Sequence, residues 1–235
     1  MLRASLLPPS DGVWRSPTTS SASFPLLISL SISSTPSVPD AVSFIFRGFI
    51  TGTTYGFLID AGLSEAQVWS GMNDKTRNVI RKSGKGLVVA RIEQPDAFAQ
   101  FYESNLAGEP NRHGTHRLKA LSEGILARDT GVLLGAYDET GRLLAATAVP
   151  WDSKAAYFLL CTRRSDAAAG ATGLLVWEAA RIACSRGIAF DLDGITSPST
   201  LLFLSGFGGR MVQRLRVRRH TSRFRIAKGL RLVDW

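Results

Sequence analysis

The residues from Arg163 to Gly194 constrain the fold more than any other stretch, because they read as a loop, a long apolar segment and a short strand. The segment that begins near Gly170 is apolar on most sides, which predicts a largely buried helix. The strand GIAFDLDG that follows ends in two aspartates and a glycine. A helix that leads into a parallel strand is a crossover connection. We therefore expect this helix to pack across a sheet.

Both ends of this stretch carry candidate binding residues. Backbone N–H groups at a helix N-terminus attract anions, so the glycine-containing start of the helix is a candidate anion site. Asp191 and Asp193 alternate along the predicted strand and are expected to point to the same face. They are candidates to face a substrate. The alternative is that an aspartate caps the helix near Pro198 or pairs with an arginine.

The remaining elements predict an α+β fold with a mixed, mostly antiparallel sheet flanked by helices. Three strands in series precede the crossover helix, and the first two flank a hairpin turn. In chain order, the predicted elements are a helix over 64–85, a strand over 87–92, helices from 95 and over 118–129, strands around a turn at 138–141, a strand over 153–164, the crossover helix and its strand, a short helix from 198, and a basic last strand.

Residues 1–40 differ in composition from the rest and are rich in Ser, Thr and Pro. This composition predicts a low-complexity, disordered tail. The apolar run Phe24–Ile32 is too short to span a bilayer, which takes roughly 20 apolar residues, and no segment reads as a membrane span. A secretory signal is the alternative for this run. Residues 41–60 are rich in β-branched and aromatic residues and predict one or two strands, so the folded domain is expected over 41–235.

The chain carries a net charge of +9 and a pI of about 10.1, which indicates anionic partners. Its two cysteines, Cys161 and Cys184, lie in apolar stretches. Two buried thiols fit a reducing compartment, so we expect a cytoplasmic protein. His113 and His116 lack the cysteine and histidine spacing of a zinc site, and no metal is expected.

Several motifs resemble the FemAB-like, or CelD/BioF2-like, group of the GCN5-related N-acetyltransferases (GNATs). The resemblance extends over roughly residues 41–220 and includes the hairpin around residues 138–141. The motifs are KTRNVIRK (Lys75–Lys82), YFLL (Tyr157–Leu160), GLLVWEAARI (Gly173–Ile182), FDLDG (Phe190–Gly194) and FLSGFGG (Phe203–Gly209).

The resemblance implies a donor site and an acceptor site. In this fold the strand before the crossover helix splays from its neighbour, and the acyl donor lies in the gap with its phosphates near the helix N-terminus. The implied donor is acyl-CoA or an aminoacyl-tRNA. The implied site residues are Arg163, Arg164, Gly170, Thr172 and Gly173 for the donor, Arg81, Lys82 and Tyr157 for the substrate, and Asp191 and Asp193 for catalysis.

The sequence departs from the family pattern in two respects. Family members usually carry two GNAT lobes, whereas this chain has room for one, with residues 41–60 as a remnant of a first lobe. The cleft between lobes is then absent, or an oligomeric or second-lobe partner builds it. The usual CoA pyrophosphate signature, Gln/Arg-x-x-Gly-x-Gly/Ala, is also not met, since alanine precedes Gly170 where Gln or Arg is expected.

Two basic segments leave alternatives open. The predicted helix over 64–85 carries a basic side, formed by Lys75, Arg77, Arg81, Lys82 and Lys85, which is either a solvated face or a phosphate contact. Arg214, Arg216 and Arg218 recur at period two in the last strand and are expected to face together. They form either the charged face of a sheet-edge strand or an RNA- or phosphate-binding ridge.

Two functions follow from these observations. The first is an N-acyltransferase that transfers an acyl or aminoacyl group to an amine of a saccharide or peptide-like acceptor, in cell-envelope or polysaccharide biosynthesis, with tRNA as a further partner. The second is a non-catalytic GNAT-like module that binds CoA, nucleotide or RNA through its basic face.

Overall fold

The structure, a computed structural model, describes residues 29–35, 38, 40–106, 114–168 and 170–220. The chain divides into a terminal unit, residues 1–54 with 213–235, and a central unit, residues 55–212. Two strands, Ile50–Ile59 (β2) and Arg210–His220 (β9), contribute residues to both units. None of the helices in the described ranges is long and apolar enough to cross a membrane.

The terminal unit contains a strand pair and a short helix. Strand β1 (Ser29–Ser33) pairs antiparallel with β9, so that Ser29 lies opposite His220 and Ser33 opposite Arg216. Serine alternates with Leu30 and Ile32, which is the period of a strand. The strand therefore forms inside the segment predicted as a tail. The domain boundary at residue 40 stays a prediction, because residues 1–28 lie outside the described residues, as do residues 221–235 of the predicted domain.

The central unit contains a four-stranded antiparallel sheet and a group of strands around β8 (Ala189–Gly194). The first sheet has the order β3 (Leu87–Arg91), β4 (Gly131–Asp138), β5 (Leu143–Pro150), β7 (Leu160–Arg163). Strand β8 pairs antiparallel with β2 and parallel with β6 (Ala155–Tyr157). The hairpin and the parallel strand after the crossover helix are confirmed, and so is the α+β class with mixed, mostly antiparallel pairing.

Six helices flank these strands in the described part of the central unit. They are α2 (Glu65–Gly71), α3 (Asp74–Ser83), α4 (Pro95–Ser104), α5 (Thr115–Ala127), α6 (Gly170–Arg186) and α7 (Pro198–Ser205). The short helix α1 (Val42–Ile45) belongs to the terminal unit.

Helix α6 is the crossover helix and lies inside the main core. Its buried side chains are mostly small, which lets the helix lie close to α3 and to strands β4, β5 and β8. Ala171, Leu175, Val176 and Ala179 are fully buried together with Phe190 of β8. A second core forms where α4 and α5 cover the other face of the antiparallel sheet, around Phe98, Leu118 and Leu133.

Three predicted elements differ from the structure. The strand expected within residues 41–60 begins only at Ile50, after helix α1, and the assignment of these residues to a first lobe stays a prediction. The strand expected over 153–164 is two strands, β6 and β7. The single helix expected over 64–85 is α2 and α3, because the Asn73 side chain accepts a hydrogen bond from the Thr76 N–H (2.7 Å) and starts a new helix.

Arg77 does not contribute to the predicted basic face, because its side chain reaches back to the end of α2. Its guanidinium donates to the carbonyl oxygens of Ser70 (3.0 Å) and Met72, which end α2, and it pairs with Asp74. The last carbonyls of a helix lack partners within the helix, so a side chain that satisfies them stabilises the helix end. Arg77 therefore joins α3 to the end of α2.

Replacement of Arg77 by alanine is expected to lower the free energy of unfolding by about 1–3 kcal/mol, since it leaves the α2 carbonyls without these donors. Urea unfolding followed by circular dichroism measures the change. The matched control is Lys75→Ala, an exposed cation on the same helix, which should change stability by no more than about 0.5 kcal/mol. Equal effects of the two substitutions would contradict the capping role.

Candidate functional site

The chain changes strand partner between β6 and β7. Strand β6 pairs with β8 up to Tyr157 opposite Asp191, and the Phe158 N–H donates to the Asp191 carbonyl (2.8 Å). The next N–H, of Leu159, donates to the Ala148 carbonyl of β5 instead (3.3 Å). From Leu160 onward the chain is β7 and pairs with β5, and within the described residues no ladder joins β7 to β8. A gap therefore opens between β7 and β8, as expected for the splayed strand.

The register of β7 directs backbone N–H groups into this gap. The Arg164 N–H donates to the Leu144 carbonyl of β5 (2.9 Å). Residues alternate in an antiparallel ladder, so the N–H groups of Cys161 and Arg163 point away from β5, toward the gap. The two N–H groups lie about 7 Å apart along the strand and run parallel, so each can donate to a separate acceptor in the gap. A single N–H group directed into such a space can stabilise a developing oxyanion.

The first turn of α6 borders β7. Burial raises the pKa of the Cys161 thiol, the Thr172 side chain acts to lower it to a smaller extent, and α6 contacts β7. The N–H groups of a helix's first turn lack partners within the helix and carry the positive end of its dipole. The start of α6 therefore combines anion-attracting N–H groups with the edge of the gap.

The two glycines of this turn also serve packing. A Cβ atom on Gly170 would lie 1.9 Å from the Ser83 hydroxyl oxygen, at the end of α3. A Cβ atom on Gly173 would lie 3.9 Å from the side chain of Ile80, which also belongs to α3. Both glycines are buried, so at least Gly170 is required for the close approach of α3 and α6. A role for the glycines in donor binding stays a prediction.

The predicted donor arginines have protein partners at the end of β7. Arg163 donates to the Ala167 carbonyl (2.7 Å), within the loop that leads to α6. Arg164 pairs with Asp166 (3.0 Å), and Arg142 of the β4–β5 hairpin pairs with the same carboxylate (2.7 Å). Hydrogen bonds from Arg164 and then Arg142 hold the pKa of Asp166 below its usual value. Sequence reasoning missed Arg142, since no local signal connects a hairpin turn with a loop 24 residues later.

The two predicted catalytic aspartates lie where the gap begins. Asp191 is 1% exposed, and its carboxylate accepts the Asp193 N–H (2.8 Å). The pairing between β2 and β8 shifts by one residue between Leu58 and Gly56, and Asp193 has a φ of 61°. The expectation that the two aspartates share a face by simple alternation is therefore wrong, because a bulge with left-handed backbone separates them.

The Tyr157 side chain makes its hydrogen bond outside the gap. Its hydroxyl donates to the Asp152 carboxylate (2.9 Å) in the loop before β6. Burial raises the pKa of Asp152, but hydrogen bonds from the Ala155 and Lys154 N–H groups and from Tyr157 outweigh it, so the pKa lies below its usual value. The phenol is thus held toward the start of β6.

The two predicted substrate cations on α3 differ in their contacts. The guanidinium of Arg81 lies 5.3 Å from the centre of the Trp69 ring and donates to Asn78 (3.0 Å). Trp69 in turn contacts Trp177 of α6, with ring centres 4.9 Å apart. Lys82 is exposed to solvent. Arg81 therefore contributes to the packing of α2, α3 and α6, and its role toward substrate stays a prediction.

Two further observations concern other sites. A shallow pocket of about 180 Å³ lies between the end of β2 and α2, where Leu58, Val68 and Phe207 line it and the Arg210–Asp60 pair (3.0 Å) stands at its edge. The residues of the gap do not line it. No group of three or more His, Cys, Asp or Glu side chains placed for a metal ion occurs in the described ranges, and His113 lies outside them.

Cys161 is expected to be unreactive, since burial raises the pKa of its thiol to about 12. The chain has two cysteines, so Cys184→Ser leaves Cys161 as its one thiol. At about pH 8, Ellman's reagent should modify this variant at least roughly 100-fold more slowly when folded than in guanidinium, because the reagent requires the thiolate. Fast modification of the folded variant would contradict a neutral, enclosed thiol.

The sequence matches no family model and no curated protein, but solved structures match the fold. FemX is similar at 10% identity, over 86% of this chain and 74% of that one, with a TM-score of 0.62. The C-terminal domain of a putative lysylphosphatidylglycerol synthetase from Agrobacterium fabrum is similar at 16% identity, over 85% and 69%, with a TM-score of 0.56. A GCN5-related N-acetyltransferase from Sphaerobacter thermophilus is similar at 10% identity, over 83% and 60%, with a TM-score of 0.52. The chain has a GNAT-like fold of the FemAB type, as its motifs predicted.

Proposed function

We propose that this chain is an N-acyltransferase that transfers an acyl or aminoacyl group to an amine. The observation that carries the proposal is the partner change between Phe158 and Leu159, which opens a gap beside the first turn of α6. The gap brings oxyanion donors and an anion-attracting helix start together, and acyl transfer from a phosphate-containing donor needs both.

The donor binds with its phosphates at the start of α6 and its acyl group in the gap. First-turn N–H groups of α6, at Gly170, Thr172 and Gly173, face the phosphates, and the Arg163 and Arg164 guanidinium groups add charge-assisted hydrogen bonds. The acyl carbonyl oxygen accepts from one of the two N–H groups on β7, that of Cys161 or that of Arg163. Most of the rate then comes from positioning the acyl carbon against the acceptor amine.

The reaction forms a C–N bond and breaks the bond between the acyl carbon and the donor's sulfur or oxygen. The neutral amine attacks the carbonyl carbon, and the tetrahedral oxyanion accepts a hydrogen bond from one β7 N–H group. The electron pair leaves with the donor sulfur or oxygen as the carbonyl re-forms, and the proton lost by the attacking nitrogen passes to this leaving group, which departs as a thiol or alcohol. Asp193 attracts the ammonium form of the acceptor and accepts its proton, while Asp191 fixes the Asp193 backbone through the 2.8 Å hydrogen bond.

Acyl-CoA and aminoacyl-tRNA are the proposed donor classes, and a saccharide or peptide amine is the proposed acceptor, with Lys82, Arg81 and Tyr157 as substrate contacts. The net charge of +9 supports a polyanionic donor. The names of two similar structures describe acetyl transfer and lysyl-lipid synthesis, which supports both donor classes. We place this reaction in cell-envelope or polysaccharide biosynthesis in the cytoplasm.

The second candidate function is a GNAT-like module that binds an anionic ligand without catalysis. Two observations favour it. The Asp191 carboxylate is buried and accepts a backbone N–H, and Gly170 packs tightly on Ser83 rather than lining an open loop. In this case the gap binds CoA, nucleotide or RNA and transfers nothing.

Donor binding is expected to depend on Arg163. Isothermal titration calorimetry with acetyl-CoA, CoA and aminoacyl-tRNA should detect at least one ligand, and Arg163→Gln should weaken its binding roughly tenfold through the loss of a charge-assisted contact. The control Arg91→Gln removes an exposed charge on β3, at the far edge of the same sheet. The proposed gap site is wrong if no donor binds or if both variants bind alike.

Asp193→Asn separates the two candidate functions. Asparagine tolerates the left-handed backbone at this position, so the variant should fold and bind donor as before. For an acyltransferase, single-turnover transfer to an amine such as glucosamine or a dipeptide should slow about tenfold to 100-fold. If the wild-type chain and Asp193→Asn both bind the donor but neither transfers the acyl group to any amine tested, the chain is instead the binding module.

A further inference from the structure

We propose that the terminal unit docks on the surface of an anionic lipid membrane through an exposed apolar surface formed by Val42, Ile45 and Phe46. This inference concerns a different part of the molecule from the gap and does not depend on acyl transfer. Its evidence comes from exposure, helix geometry and charge within the terminal unit.

Exposed apolar side chains concentrate in this segment. Phe46 is 85% exposed, Ile50 63%, Ile45 53% and Val42 52%. Of the eleven large hydrophobic residues that are exposed in the described part of the chain, five lie between Val38 and Ile50. Single exposed apolar residues are ordinary, whereas a contiguous group marks an interaction surface.

The local backbone places these side chains together. Positions 42, 45 and 46 have the spacing i, i+3, i+4 and therefore share one face of α1 and its C-cap. Phe44 lies on another side and packs edge-to-face on Phe49, with ring centres 5.5 Å apart. The Phe49 N–H donates to the Phe44 carbonyl (3.0 Å), and Ile50 then begins β2 as a separate exposed apolar residue. The outward face of α1 is thus the apolar one.

Two arginines lie close to the apolar surface. Arg47 is exposed next to Phe46, and the Arg219 guanidinium lies 5.5 Å from the centre of the Phe49 ring. The described residues of the terminal unit contain five arginines and one carboxylate, Asp40, which accepts the Val42 N–H (2.9 Å). Apolar insertion combined with basic residues is the combination that holds a peripheral segment on an anionic bilayer.

Apolar side chains also decide between a membrane and a nucleic acid. A polyanion such as RNA pairs with arginines and stacks on aromatic rings. Val42 and Ile45 have no such use, whereas the acyl region of a bilayer accommodates aliphatic and aromatic side chains alike. We therefore assign this surface to lipid.

Vesicle co-sedimentation of the full chain tests the assignment. The protein should bind vesicles of phosphatidylcholine mixed with phosphatidylglycerol, should bind pure phosphatidylcholine vesicles at least about tenfold more weakly, and should be released by added salt. Phe46→Ser should weaken binding to the mixed vesicles about tenfold or more, because it removes the largest exposed apolar group. Arg219→Gln should weaken it less and reduce its salt dependence.

The matched control is Leu202→Ser, which removes a side chain that is 75% exposed in the central unit and should leave vesicle binding unchanged. Thermal melting checks that all variants fold. The proposal is overturned if the chain does not bind anionic vesicles, or if Phe46→Ser and Leu202→Ser bind these vesicles equally well. It is also overturned if Phe46→Ser weakens binding of an RNA oligonucleotide but not of vesicles, since the surface would then recognise nucleic acid.

Discussion

The hydrogen bond from the Phe158 N–H to the Asp191 carbonyl is the last link between β6 and β8, and the geometry of the candidate site depends on it. One residue later the chain bonds to β5. Because the chain pairs first with β8 and then with β5, it must separate from β8. The gap therefore follows from backbone pairing rather than from any one side chain. This is why no short motif in the sequence locates the gap.

Helix α6 holds the diverging strands in place. It contacts β4, β5 and β7 on one side of the gap and β6 and β8 on the other. Its alanines, among them Ala171, Ala179 and Ala183, allow this close packing because they add little bulk. The same requirement accounts for Gly170, where any larger side chain would meet Ser83. The helix that offers its N-terminus to an anion is therefore also the element that fixes the gap beside it.

The sequence predicted much of this architecture because the strands and helices have clear periodicity. The hairpin and the crossover helix were both predictable from local patterns. The division of residues 153–164 was not, since both halves read as strand and only the choice of partner differs. The bulge at Asp193 and the contacts of Arg77 also depend on neighbours distant in the fold, so alternation and helical period misplaced both side chains.

The Asp166 carboxylate competes with ligands for the arginines beside the start of α6. Its carboxylate accepts from both Arg164 and Arg142, and those contacts keep it ionised into the acid range. The contact with Asp166 uses the Nε of Arg164, so a ligand that binds this guanidinium has the carboxylate beside it. A singly charged anion offers the arginine little more than Asp166 already does, whereas a pyrophosphate offers more charge and more acceptor oxygens. If the donor binds here as proposed, the loop would favour a pyrophosphate over a simple carboxylate at the start of α6.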